Sequence, residues 1–94
     1  MITVDMITAQ LEKLTDSISY AVNIYDDETI IHVLVEDFAG FDDQWQEIIR
    51  PVDWKAVHAL ETWLETHADS IDEECDYYYF GDIEVRMKSA SSDI

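Results

Sequence analysis

Glu61, Glu65 and Asp69 recur at intervals of four residues, and Asp72, Glu73, Glu74 and Asp76 follow directly behind them. A second acidic run, Asp26-Asp27-Glu28, stands far upstream, with further carboxylates at Glu36, Asp37, Asp42, Asp43 and Glu47. Carboxylates in this density have three chemistries open to them. They can ligate a hard cation, they can exchange protons in general acid–base catalysis, or they can dock electrostatically on a cationic surface.

The first two find little support. A calcium loop needs a glycine at its sixth position for the sharp turn, and none stands there when counting starts from Asp69 or Asp72. His58 and His67 are nine residues apart, which does not fit the i, i+4 pair that one helix face offers a zinc ion. No dedicated metal site and no cofactor are therefore expected, only weak and nonspecific attraction of divalent ions. Cys75 and Ser17 have no recognisable base at motif spacing. Gly40 and Gly81 are the only glycines, so there is no glycine-rich phosphate loop. Pairs of carboxylates carry no information where so many exist. No catalytic residue is assigned, and the chain is expected not to be an enzyme.

Electrostatic docking remains. Asp and Glu account for 22 of the 94 residues against five Lys and Arg, a formal net charge of −17. Self-repulsion of that size opposes compaction. Solubility asks only for a net charge of roughly 2 to 8 in a small domain. Like charges at i, i+4 cost a helix a few tenths of a kcal/mol each, and no lysine is interspersed in the 61–65–69 row to relieve them. A solvated acidic face and a salt-adapted proteome are the plain alternatives. The excess is better explained by a basic partner, since surfaces that hold nucleic acid are themselves basic. The chain itself should bind neither DNA nor RNA, because phosphates are repelled and the five basic residues are scattered. Anionic membrane surfaces repel it for the same reason.

The apolar fraction of 48%, with three Trp, five Tyr and three Phe, argues for a folded core rather than disorder. The length suits one domain spanning residues 1–94. A lone cysteine excludes an internal disulfide. The opening MITVDMITAQ has neither a basic n-region nor a long apolar stretch, so no signal peptide is expected and the default location is the cytoplasm.

Positioning the carboxylates falls to a small set of elements. Val4, Ile7, Leu11 and Leu14 keep helical spacing and predict a helix over 3–16, capped by Thr3 with Asp5 in the first turn. Ile18, Tyr20, Val22 and Ile24 alternate with Ser17, Ser19, Ala21 and Asn23 and predict a strand over 17–25. Asp26-Asp27-Glu28 turns the chain into a return strand over 29–37 with Ile31, Val33 and Val35 facing the core. Ile30 and Leu34 on the other face imply that something covers it. Residues 38–44 are predicted as a loop around Gly40, and 45–50 as a short third strand or an irregular approach to Pro51. Asp53 caps a helix over 53–68 whose stripe is Ala56, Val57, Leu60, Trp63, Leu64, His67 and Ala68. Residues 69–76 form an acidic connection. Tyr77–Phe80 and Ile83–Lys88 read as a hairpin about Gly81-Asp82, a type II′ turn that pairs Phe80 with Ile83 and Tyr78 with Val85. Tyr77 and Tyr79 then share the other face with Glu84 and Arg86. Residues 89–94 are predicted as a frayed tail. The fold class is α+β: two helices on one face of an antiparallel sheet of four to five strands, in the order α-β-β-(β)-α-β-β.

Tyr77 and Tyr79, amphipathic and set among charges, could anchor a contact with an arginine-rich surface by stacking and cation–π attraction. With Asp26, Asp27, Glu28, Glu61, Glu65, Asp69, Asp72, Glu73 and Glu74 they make up the candidate partner-binding set. In length, charge and these carboxylates the chain resembles the small acidic phage-encoded inhibitors that mimic duplex DNA, among them anti-CRISPR and anti-restriction proteins. It carries no diagnostic motif of that class. The resemblance implies a binding inhibitor acting in the host cytoplasm on a basic nucleic-acid-binding protein or complex. An immunity protein or antitoxin against a basic toxin, and an acidic adaptor for a basic subunit, share the same profile.

Overall fold

The computed structural model of the chain describes residues 1–89. Helix α1 (Val4–Leu11) begins where Thr3 Oγ1 accepts the Met6 N–H at 3.2 Å, with Asp5 in its first turn. The predicted helix tightens into a 3-10 turn at Glu12–Leu14. It ends short of residue 16 because the Ser17 N–H closes back on the Leu14 carbonyl. Ile7, Leu11 and Leu14 are buried along the expected stripe.

Strands β1 (Ile18–Ile24) and β2 (Thr29–Val35) pair antiparallel, Ile18 opposite Val35 and Ile24 opposite Thr29. Then come β3 (Phe38–Phe41), β4 (Glu47–Arg50), helix α2 (Trp54–His67), β5 (Ser70–Asp72), β6 (Tyr77–Phe80) and β7 (Ile83–Ser89). Asp53 caps α2, its carboxylate accepting the Ala56 N–H at 3.2 Å. The cap is itself placed by the buried Ser17, whose Oγ accepts the Asp53 N–H at 3.0 Å. Gly81 takes φ +61° while Asp82 stays on the negative side, the sign pair of a II′ turn, and the predicted register of Phe80 with Ile83 and Tyr78 with Val85 follows.

Both helices pack on one face of the main sheet. Ile7, Leu11, Leu14, Val57, Leu60 and Leu64 meet Ile18, Ile31, Val33, Val35, Tyr78, Phe80, Val85 and Met87, which the strand registers place on a single side. Burial of each such aliphatic side chain contributes roughly 1.5–3 kcal/mol.

Several expectations are corrected. The five-stranded sheet is mixed, with order β1-β2-β7-β6-β5, because β2 and β7 run parallel. Residues 38–44 are not all loop: β3 pairs with β4 in a separate two-stranded hairpin, so the 45–50 segment supplies a strand, but not one of the main sheet. Part of the acidic connection, β5, forms the sheet edge beside β6. His67 is exposed rather than packed on the core; its Nδ1 lies 2.8 Å from the Trp63 carbonyl and its ring rests on the Trp63 indole. Ile24, expected on the core face, is 79% exposed at the last position of β1, next to the turn, and takes no part in the core cluster. Ser89 closes β7, and the rest of the predicted tail lies outside the described residues.

Candidate partner-binding surface

The buried stripe of α2 turns Glu61 and Glu65 to one flank, one helical turn apart. The buried face of α2 packs against β6, which carries Tyr78. Burial, followed by the charges of Glu61, Glu65 and Asp76, pushes the Tyr78 hydroxyl up to about 12. His58 Nδ1 stands 3.6 Å from Glu61 Oε1, a pair that is ionic only when the imidazole is protonated.

The row does not continue to Asp69 as a helix would carry it. The helix ends at His67, and Ala68 is already extended. Asp69 Oδ2 accepts the Gly81 N–H at 2.7 Å, and its own N–H donates to the Tyr79 carbonyl. Asp72 is likewise committed locally, accepting the N–H groups of Glu74 at 3.2 Å and Cys75 at 3.4 Å in a tight turn. Asp76 leaves that turn in the left-handed region with φ 56°. Glu73 and Glu74 are exposed at its crest. The Cys75 thiol is held above its ordinary range, chiefly by Asp72 and then by burial and Glu74, which keeps it protonated and poorly nucleophilic.

Parallel pairing decides where Asp26, Asp27 and Glu28 go. Thr29 stands opposite Ile83 and donates to the Asp82 carbonyl at 2.9 Å, so the β1–β2 tip lies beside the β6–β7 turn. Asp27, Glu28, Asp82 and Glu84 line one shallow depression there, with Tyr79. Asp69 joins this end through Gly81. The 72–76 turn sits at the other end of β6, about 10 Å away at ~3.3 Å per strand residue. The candidate carboxylates thus form two patches separated by the length of β6. Asp82 and Glu84 belong to one of them, although sequence reading left them out; only the β2–β7 register brings them in.

Tyr77 and Tyr79 do lie on the helix-free face, but they already have partners. The Arg86 guanidinium sits 4.9 Å from the Tyr77 ring centroid. Arg86 also pairs with Glu84 at 2.5 Å, and that bond raises its affinity for the proton. Burial and then Glu84 hold the Tyr79 hydroxyl above its ordinary range. The basic residues are less scattered than the sequence suggested: Arg86 and Lys88 meet His32 around an open cavity of about 650 Å³ on this face, with Leu34, Cys75 and Tyr77 in its wall. Ile30, flanked by Asn23 and Glu84, is buried on the same face without a covering helix.

Among the described residues, no three His, Cys, Asp or Glu side chains converge to hold a metal ion, and no helix is long and apolar enough to cross a membrane. The structure also exposes what sequence reading missed altogether: Phe41, Trp45 and Ile49 stand in solvent on the β3–β4 hairpin. Compared with known protein families, curated proteins and solved structures, this chain matches none.

Proposed function

We propose that this chain is an acidic binding inhibitor, related in kind to phage-encoded DNA mimics. It works in the host cytoplasm by occupying the nucleic-acid-binding surface of a basic protein, its carboxylates standing where phosphates would lie. It works by binding, without catalysis or cofactor. The observation that carries this reading is the rigid presentation of uncompensated charge. Glu61 and Glu65 ride a capped helix, Glu73 and Glu74 crest a hydrogen-bonded turn, and Asp26, Asp27 and Glu28 sit beside Asp82 on a sheet-locked tip. The arginine ion pairs, Arg50–Asp16 and Arg86–Glu84, involve none of these residues, and Glu61 alone has a histidine, His58, at 3.6 Å among the ion pairs of the described residues. A charge array fixed by backbone loses little entropy on docking, which is what substitution for a stiff duplex requires.

The test is affinity capture of the partner from lysate of the native host, followed by challenge with duplex DNA and with RNA. Displacement of the partner by nucleic acid is the expected result, together with no retention of either probe by the acidic protein alone in gel shifts at low salt. Capture that neither nucleic acid disturbs would point instead to an immunity protein or an adaptor. The triple variant Glu61→Lys/Glu65→Lys/Glu73→Lys should bind weakly, and its deficit should shrink as salt rises.

A further inference from the structure

The β3–β4 hairpin carries the largest aromatic exposure on the molecule, and its construction explains why. The register puts Ala39, Phe41, Glu47 and Ile49 on one side and Phe38, Gly40, Ile48 and Arg50 on the other. On the second side Phe38, Gly40 and Ile48 are half-buried, in part by one another. The Phe38 ring covers Gly40 so tightly that a Cβ there would come within 3.0 Å of Phe38 Cζ, and the Arg50 guanidinium lies 5.3 Å from the Phe38 ring centroid. The first side is left open. Phe41 is 66% exposed, Trp45 83% and Ile49 62%, with the Phe41 and Trp45 rings 6.3 Å apart.

This apolar side is not held loosely. At the root of the hairpin, Asp37 accepts the Val52 N–H at 3.1 Å and Arg50 reaches Asp16 at 3.0 Å. At the tip, the Asp42 carboxylate accepts the N–H groups of Gln44 at 2.8 Å and Gln46 at 2.9 Å, the Asp42 N–H donates to the Gln46 carbonyl, and the Trp45 N–H donates to the Asp42 carbonyl. Trp45 is thereby kept at φ 60°, a left-handed backbone that a bulky residue rarely adopts. An isolated two-stranded hairpin is marginal in water, so ordering one around a solvent-exposed tryptophan calls for a compensation outside the fold.

The geometry points to this hairpin as a preorganised anchor: Trp45, with Phe41 and Ile49, inserts into an apolar pocket on a protein whose pocket rim carries lysine and arginine. The rim chemistry follows from charge. Asp42, Asp43 and Glu47 lie on the same hairpin as the exposed rings, and its one basic residue, Arg50, is on the opposite side and paired with Asp16. A second copy of this chain is a poor occupant, because two hairpins face to face would bring six carboxylates together. Tryptophan is among the residue types enriched at interface hot spots, which sit in well-packed pockets shielded from water. The inference rests on the inhibitor reading for the identity of the partner. It adds a short-range, salt-insensitive contact to the long-range electrostatic one.

The experiment replaces Trp45 with photoreactive p-benzoylphenylalanine and irradiates the protein in lysate of the native host. Mass spectrometry then identifies the crosslinked peptide, and the purified partner is titrated with wild type, Trp45→Ala, Phe41→Ala and the Glu61/Glu65/Glu73 lysine variant. A crosslink to one protein, at an apolar segment flanked by Lys or Arg, is expected. Trp45→Ala should bind about 30-fold more weakly or worse at low and high salt alike, with its melting temperature nearly unchanged because the indole is exposed and its ring contact is with the equally exposed Phe41. The anchor is overturned by affinity within about threefold of wild type, by crosslinks only to a second copy or to lipid, or by no crosslink. Weak binding by Trp45→Ala without displacement by DNA keeps the anchor and sinks the nucleic-acid reading. Displacement by DNA with Trp45→Ala at full affinity does the reverse.

Discussion

Asp69 Oδ2 accepts the backbone N–H of Gly81 at 2.7 Å, so the first carboxylate beyond α2 latches the tight turn between β6 and β7. The Asp69 N–H donates to the Tyr79 carbonyl at 2.7 Å, securing the same residue from its backbone. A side chain that looks like the last member of a surface row is thus a structural clasp. Its removal should be felt in stability, whatever the partner.

Asp69→Ala should therefore cost roughly 1–2 kcal/mol, the worth of one hydrogen bond to a charged acceptor in a partly solvated setting. Glu61→Lys and Glu65→Lys should cost nothing measurable, since each relieves repulsion. Urea unfolding of the three variants separates them. Equal stability of Asp69→Ala and wild type would remove the clasp.

Tyr78 should be the last tyrosine to ionise. Its hydroxyl is pushed up to about 12, first by burial and then by Glu61, Glu65 and Asp76. The fold favours the neutral phenol, so this contribution to stability is complete below the unfolded value of about 10 and is lost as pH climbs from there to about 12. Tyrosinate absorbance followed against alkaline unfolding will show the late step. The pair Glu61→Gln/Glu65→Gln should bring it earlier without reaching the unfolded value, because burial persists. A single titration of all the tyrosines near 10 would contradict this assignment.

Leu64 is fully buried where α2 meets the sheet, and Leu60 is nearly so. Truncation of either to Ala should cost roughly 2–5 kcal/mol. Trp63→Ala also removes ring contacts with Phe80 and His67, at centroid distances of 6.5 and 4.4 Å. Denaturant midpoints shifted by less than a surface substitution would shift them would show that the helix docks through another face.

Added salt should stabilise the domain, because a net charge of −17 is confined in a chain this short. Thermal melts at about 0.02 and 0.5 M NaCl decide the matter. A midpoint that stays level or falls at the higher concentration means that local pairing already offsets the repulsion.

Periodicity and capping chemistry make much of this protein legible in its amino-acid sequence alone. Thr3 and Asp53 start their helices because each side-chain oxygen meets a backbone donor three residues on. The β1–β2 pairing follows from alternation on either side of Asp26-Asp27-Glu28, and the β6–β7 pairing from alternation joined to a turn that Gly81 takes without strain. The charge itself is a property of composition. All of these depend on residues close in the chain, where the free-energy preferences are local.

The parallel junction of β2 with β7 is decided only in three dimensions. The 47 residues between Val35 and Ile83 carry no local signal for it, yet it alone sets Asp26, Asp27 and Glu28 beside Asp82 rather than beside Glu73 and Glu74. Hydrogen bonding likewise removes Asp69 and Asp72 from the row of unengaged carboxylates, and ring stacking gives Tyr77 to Arg86. The β3–β4 hairpin is hidden by Gly40, which reads as a breaker in sequence. In the fold it is the one residue small enough to lie under the Phe38 ring. Whether a glycine ends a strand or admits a neighbour depends on what packs against it, and that is a property of the folded chain alone.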